Sequence, residues 1–251
     1  MRNSIKNHFK VFGYFIGLLI LQFFIVRYTV LLVKYQSIGA YILSFVIMIL
    51  FISLVFFLYL KMAGRNTFYL KGIRWKTWLQ ALLLCISHFL FISVIDGYPT
   101  WRVKSNIPIG FIILSFYWIF CHPVVFEILF RGLLQKQLSK FLKPWLAIFI
   151  TTFFGVFVGL LNTQSIHSTL LAGIFIGIIY HKTDNLILCI LYRSFFTLMC
   201  VSAHFSFEHG TAFQTVFLII AIGLAVHSIR GLMKGYRKNK SLFINNSNNE
   251  K

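Results

Sequence analysis

The sequence predicts an all-α, polytopic membrane protein with about eight transmembrane helices. Three observations predict it. Of 251 residues, 59% are hydrophobic and 12% charged, where soluble domains hold about 45–50% and about 25%. The apolar residues fall in successive runs, several of them near the length of about 20 residues that crosses a bilayer as a helix. The basic residues, 24 Lys and Arg against 5 Asp and Glu, gather between those runs. Eight spans take up about 160 residues, which leaves loops and ends but no separate soluble domain. The chain therefore divides into a basic cytosolic N-terminus (1–10), a single transmembrane domain (11–229) and a basic, then polar, cytosolic tail (230–251).

Each span has its own justification. The run Val11–Val26 looks like the apolar part of a signal peptide, but Arg27-Tyr28-Thr29 follows it without a small-x-small cleavage site, so it is read as an uncleaved first span. The second, Ile38–Leu60, is uninterrupted. The third runs from Trp78 to Ile95 and is ended by the turn Asp96-Gly97-Tyr98-Pro99. The fourth begins near Pro108 and continues past Arg131, with a kink expected at Pro123. Trp145–Leu161, a short Ser168–Tyr180, Leu186–Ala203 and Ala212–Ile229 complete the set.

Charge orients it. Basic clusters fall at Arg2, Lys6 and Lys10, at Lys61 to Lys76, at Lys136 to Lys143 and at Arg230 to Lys240. The intervening loops are poorer, and the His181-Lys182-Thr183-Asp184 turn is the one weak inner loop. The positive-inside rule then places the chain in the cell membrane with both termini cytosolic. A net charge of +19 would suggest nucleic acid in a soluble protein, but this distribution makes it a solvated cytosolic face that attracts anionic lipid. Cys85, Cys121, Cys189 and Cys200 lie in apolar stretches and read as buried thiols. The pairs Gly13/Gly17, Gly155/Gly159 and Gly173/Gly177 predict close helix packing, read as packing within the chain over the alternative of a dimer interface.

Charges inside spans are costly, about 2.5–3.5 kcal/mol each, and mark sites. Three stand out: Glu127 and Arg131 in the fourth span, at i and i+4 on one helix face, and Arg193 in the seventh. His122 is the nearest histidine to them. His88 and His227 are single residues in apolar runs and read as packing histidines. His204, Glu208 and His209 have a spacing that can bind metal but lie in an outer loop without a second cluster, and read as a solvated loop.

The segment around Glu127 resembles the first motif, E-E-x-x-x-R followed by Gly, of the CPBP family (CAAX protease and bacteriocin-processing, also called Abi). The resemblance runs from Phe120 to Met199, and the eight-span layout agrees with it. Family members are intramembrane glutamate or metal-dependent endopeptidases, in which the Glu pair and later histidines activate a water or hold a metal. In this chain the second Glu falls on Glu127 and the Arg on Arg131, while the first Glu falls on Phe126. The F-x-x-x-H motif ends on Asn162, and the H-x-x-x-N/D motif runs from Arg193 to Thr197. A one-residue shift brings no His to either place.

Phenylalanine cannot accept a proton, and a fixed guanidinium repels a divalent ion. The motif set thus reads as degenerate: Glu127 and Arg131 are structural remnants of a catalytic pattern, and Phe126, Asn162, Arg193 and Thr197 stand at lost positions. At 1.5 Å per residue, Glu127 and Arg193 lie at similar depth from the cytosolic side; in the family the fourth and seventh spans face each other, so the resemblance implies an Arg–Glu–Arg cluster with Arg131. The same ruler puts Asn162 near the outer end of the fifth span. The resemblance implies an inactive relative that binds a membrane protein or peptide, in bacteriocin immunity or regulation. No cofactor is expected, zinc only if the family chemistry is retained, and no nucleic acid. Two rival readings are an active intramembrane endopeptidase pairing Glu127 with a rearranged partner such as His122, and a small transporter component.

Overall fold

The computed structural model describes residues 2–34, 37–63, 74–95, 115–161, 165–203 and 218–234, and every extended run among them is helical. In chain order they form α1 (Arg2–Lys34), α2 (Ile38–Ala63), α3 (Trp75–Ile95), α4 (Tyr117–Leu138), α5 (Pro144–Leu161), α6 (Ile166–Thr183), α7 (Leu186–Ala203) and α8 (218–234). Four of these, α1 to α4, are long and apolar enough to cross a membrane, and α5 and α7 carry shorter apolar stretches. The outward faces expose large apolar side chains such as Phe24, Leu50, Phe57, Phe149, Phe153 and Ile219. Water does not tolerate contiguous apolar surface of that kind, whereas lipid does. This is an all-α membrane protein.

α4 is the centre of the bundle. Of its crossing window 83% is buried, against 22% for the windows in α1 and in α2. Around Ile128, Leu129 and Phe130 the core gathers Phe15 of α1, Tyr59 of α2, Leu84 of α3, Ile176 and Ile179 of α6, Tyr192 of α7 and Leu232 of α8. Phe15 meets Phe130 edge to face, with centroids 5.5 Å apart. Tyr59 lies where a Cβ on Gly132 would come within 2.5 Å of its ring, so only glycine admits α2 to α4 there.

The break expected at Pro123 takes the form of wider helical turns. Pro123 has no N–H, and its ring crowds the carbonyl one turn back. The chain answers with a π-helical stretch at Tyr117–Cys121, closed by the His122 N–H bonding the Tyr117 carbonyl five residues back. An α segment, His122–Glu127, follows, and a second π stretch covers Ile128–Gln135. Such turns are rare and cluster where a helix carries function.

The glycine pairs divide. Gly173 and Gly177 are packed so closely by α5 that an added Cβ would meet Thr152 Cγ2 at 2.5 Å and Ile148 Cγ2 at 2.7 Å. Gly155 receives Phe126 in ordinary contact. Gly13 and Gly17 have open space around them, so the expectation of internal packing fails for this pair. α1 lays that face outward, toward lipid.

Several boundaries also shift. α1 is helical well before Val11 and beyond Val26, because the basic residues flanking the apolar run are good helix formers. α6 runs to Thr183 and ends with Asp184 at φ 48°, so the turn to α7 is only Asp184-Asn185, with Asn185 Oδ1 accepting from the Leu188 N–H at 2.8 Å. The cysteines are free thiols; Cys85, Cys121 and Cys189 are buried and Cys200 is half-buried. The Asp96–Pro99 turn, Asn162, the His204, Glu208 and His209 group and the tail after 234 lie outside the described residues.

Candidate functional site

The three in-span charges meet. Glu127 is fully buried, Arg131 is 1% exposed and Arg193 6%. Arg193 Nε donates to Glu127 Oε1 in a very short contact. Arg131 Nε stands 3.4 Å from Oε2 of the same carboxylate, a charge contact without hydrogen-bond geometry. The expected Arg–Glu–Arg cluster is therefore formed, joining α4 to α7.

Arg131 also reaches the other side of the bundle. Its Nη1 donates to Gln135 Oε1 at 2.7 Å and to Thr151 Oγ1 of α5 at 3.0 Å, and its Nη2 to the Gly173 carbonyl of α6 at 2.8 Å. Gln135 Nε2 donates to the Gly177 carbonyl at 3.1 Å. Glycine explains this geometry: with no side chain on α6 at either position, both carbonyls lie open to a second donor. Each carbonyl carries two lone pairs and so can accept twice. A buried arginine is thus held by oriented dipoles as well as by one carboxylate, as an intramembrane charge requires.

The site's floor is aromatic. Phe126 puts its ring 4.0 Å beneath Arg193 Cζ and stacks on Phe130 at 4.2 Å. Ring and guanidinium attract through the ring's negative face, more strongly when both are desolvated. Thr197, one turn along α7, spends its hydroxyl on the Arg193 carbonyl at 2.9 Å. His122 is buried on the neighbouring turn, its ring 4.7 Å from Trp118 and 5.3 Å from Phe126.

His88 and His227 lie outside this hydrogen-bonded cluster. His88 stacks on Phe196 at 3.8 Å, and its Nε2 pairs with the Ser168 carbonyl at 3.2 Å, which makes it a packing residue across α3, α6 and α7. His227 lies on an exposed face of α8. Sequence reasoning missed Gln135 and Thr151. Gln135 was findable, because Glu127, Arg131 and Gln135 form an i, i+4, i+8 series of polar residues in an apolar helix.

For a divalent cation the described residues do not fit. Two guanidiniums occupy the carboxylate that would bind it, and Phe126 offers no donor atom. Among the described residues no three His, Cys, Asp or Glu side chains come together.

Residues 108–199 match the family model described as type II CAAX prenyl endopeptidase Rce1-like. Neither the curated proteins nor the solved structures give a match to the chain. The matched stretch includes all of α4, α5 and α6 and most of α7, and with them Glu127, Arg131, Gln135, Thr151 and Arg193. The stretch that carries the ion-pair network of the described residues is thus the part of the chain that is similar to CAAX-protease-like membrane proteins.

Proposed function

We propose that this chain is a catalytically inactive CAAX-protease-like protein of the cell membrane, which acts by binding another membrane protein or a peptide. Bacteriocin immunity or regulation of a membrane system are the roles that fit. One observation carries the reading: the carboxylate in the catalytic-motif position is engaged by Arg193, which stands where the family has a histidine. A carboxylate so held has both oxygens facing guanidiniums and neither free to orient a water. The aromatic ring at the neighbouring motif position completes the loss, because a water activated there would find no second acceptor.

In this reading all eight helices cross the bilayer, both termini are cytosolic and no cofactor is needed. Metal analysis of the purified chain tests the chemistry. Essentially no bound zinc is expected, whereas about one zinc per chain, the stoichiometry of a catalytic site, lost on Glu127→Ala, would overturn the reading. A second reading, an active endopeptidase using Glu127 with His122, draws on the burial of His122 against Phe126. It requires Glu127 to leave Arg193 in the working state.

A further inference from the structure

The buried ion-pair network is one charge out of balance. Among the described residues its buried ions are Glu127, Arg131 and Arg193, so with neutral histidines the cluster is a net monocation within the bundle. The surplus is not shared evenly. Arg131 spreads its charge over the Gly173 carbonyl, Gln135 and Thr151. Arg193 has the carboxylate on its Nε and an aromatic face beneath its Cζ, yet its Nη2 is shielded from solvent with no hydrogen-bond partner among the described residues. A second orphan adjoins the same ring. His122 is 2% exposed, packs on Phe126, and its Nε2 likewise lacks a partner.

Buried donors are rarely left unmade, and these two belong to side chains that pack on one ring. Water would satisfy the donors but not the charge, and buried intramembrane charges are paired. A divalent anion would overshoot, turning the monocation into a monoanion. A single negative charge closes both accounts. Guanidinium is the side chain best suited to a carboxylate, and neutral His122 with its proton on Nε2 supplies a further donor.

We propose that Arg193 Nη2, with His122 beside the same Phe126 ring, binds a small monovalent anion, either a halide or a carboxylate. The site goes beyond the proposed function and does not depend on whether the chain cleaves peptide. It adds a chemical preference at the contact of α4 and α7: a small, singly charged anion has a place to bind.

The test is thermal unfolding of the purified full chain in detergent at constant ionic strength, in sodium chloride, bromide or formate against sodium gluconate, whose anion is too bulky for a buried site. The expected result is a saturable rise of about 4–8 °C in the midpoint with the small anions. Arg193→Lys, which keeps a cation for Glu127 but lacks Nη2, should lose the saturable response. His122→Phe leaves every ion pair intact and should raise the half-saturating concentration several-fold, which keeps the test decisive if the lysine variant does not fold. Saturation by chloride and formate alike identifies a free anion as the ligand. Saturation by formate but not by chloride identifies a small carboxylate as the ligand. A midpoint indifferent to the anion, or variants that respond as the wild type does, would overturn the proposal.

Discussion

Replacing Arg193 by leucine removes the guanidinium that donates to Glu127. It leaves a carboxylate with no solvent exposure and, among the described residues, only Arg131 Nε at 3.4 Å as counter-charge. At an effective dielectric of about 20, a unit-charge contact at that distance is worth about 5 kcal/mol before desolvation is counted. Breaking one partner of a buried pair costs about 3–5 kcal/mol, because the survivor stays buried. For a chain of this size each kcal/mol moves the midpoint by about 2–4 °C, so Arg193→Leu should lower it by about 6–20 °C. Glu127→Gln alone should lose a comparable amount, since it strands two cations. The double variant removes one charge of each sign and leaves Arg131 on Gly173, Gln135 and Thr151. It should therefore be less destabilised than the sum of its parts, by about 1–3 kcal/mol. Unfolding of the four proteins in detergent measures this directly. Losses that add to within about 0.5 kcal/mol would refute the idea that the two residues act as one unit.

Two further outcomes follow from the packing and the charge pattern. Gly173→Val places a Cβ 2.5 Å from Thr152 Cγ2 and shields the carbonyl that Arg131 uses, so it should destabilise the fold by about 1–3 kcal/mol, read as a lowered unfolding midpoint, whereas Gly13→Val, in open space, should be nearly neutral. A cysteine engineered at position 248 should be labelled only after intact cells are opened, as a cytosolic C-terminus requires, and labelling from outside would contradict the topology.

Much of the helical plan is legible in hydropathy. α7 occupies the residues read for it, Leu186 to Ala203, because a polar cap at Asn185 marks its start and an apolar run fills it. α1 is the counter-case: hydropathy finds the crossing window, while the helix follows backbone propensity and continues through the charged residues at either end. Pro123 announces a disturbance in α4, but the relief by π turns on both sides depends on neighbours that no local pattern contains. The glycine pairs make the same point. Gly13/Gly17 and Gly173/Gly177 have identical spacing, yet only the second faces another helix, and a motif cannot say what lies opposite it. At the site, span depth put the charges at one level, and the family resemblance put their two spans face to face. The roles of Gln135 and Thr151 could not be read that way, because Gln135 donates to a backbone carbonyl of α6 and Thr151 accepts from Arg131 of α4, contacts that exist only when the helices close together.

The central claim is that guanidinium and ring have taken the place of a water-activating centre. Its most direct test is cleavage of prenylated CAAX peptides and of leader-bearing peptides by the purified chain, with and without added zinc, wild type against Glu127→Ala. The account predicts that the two proteins give the same background signal under every condition. Turnover by the wild type that disappears in Glu127→Ala would contradict it.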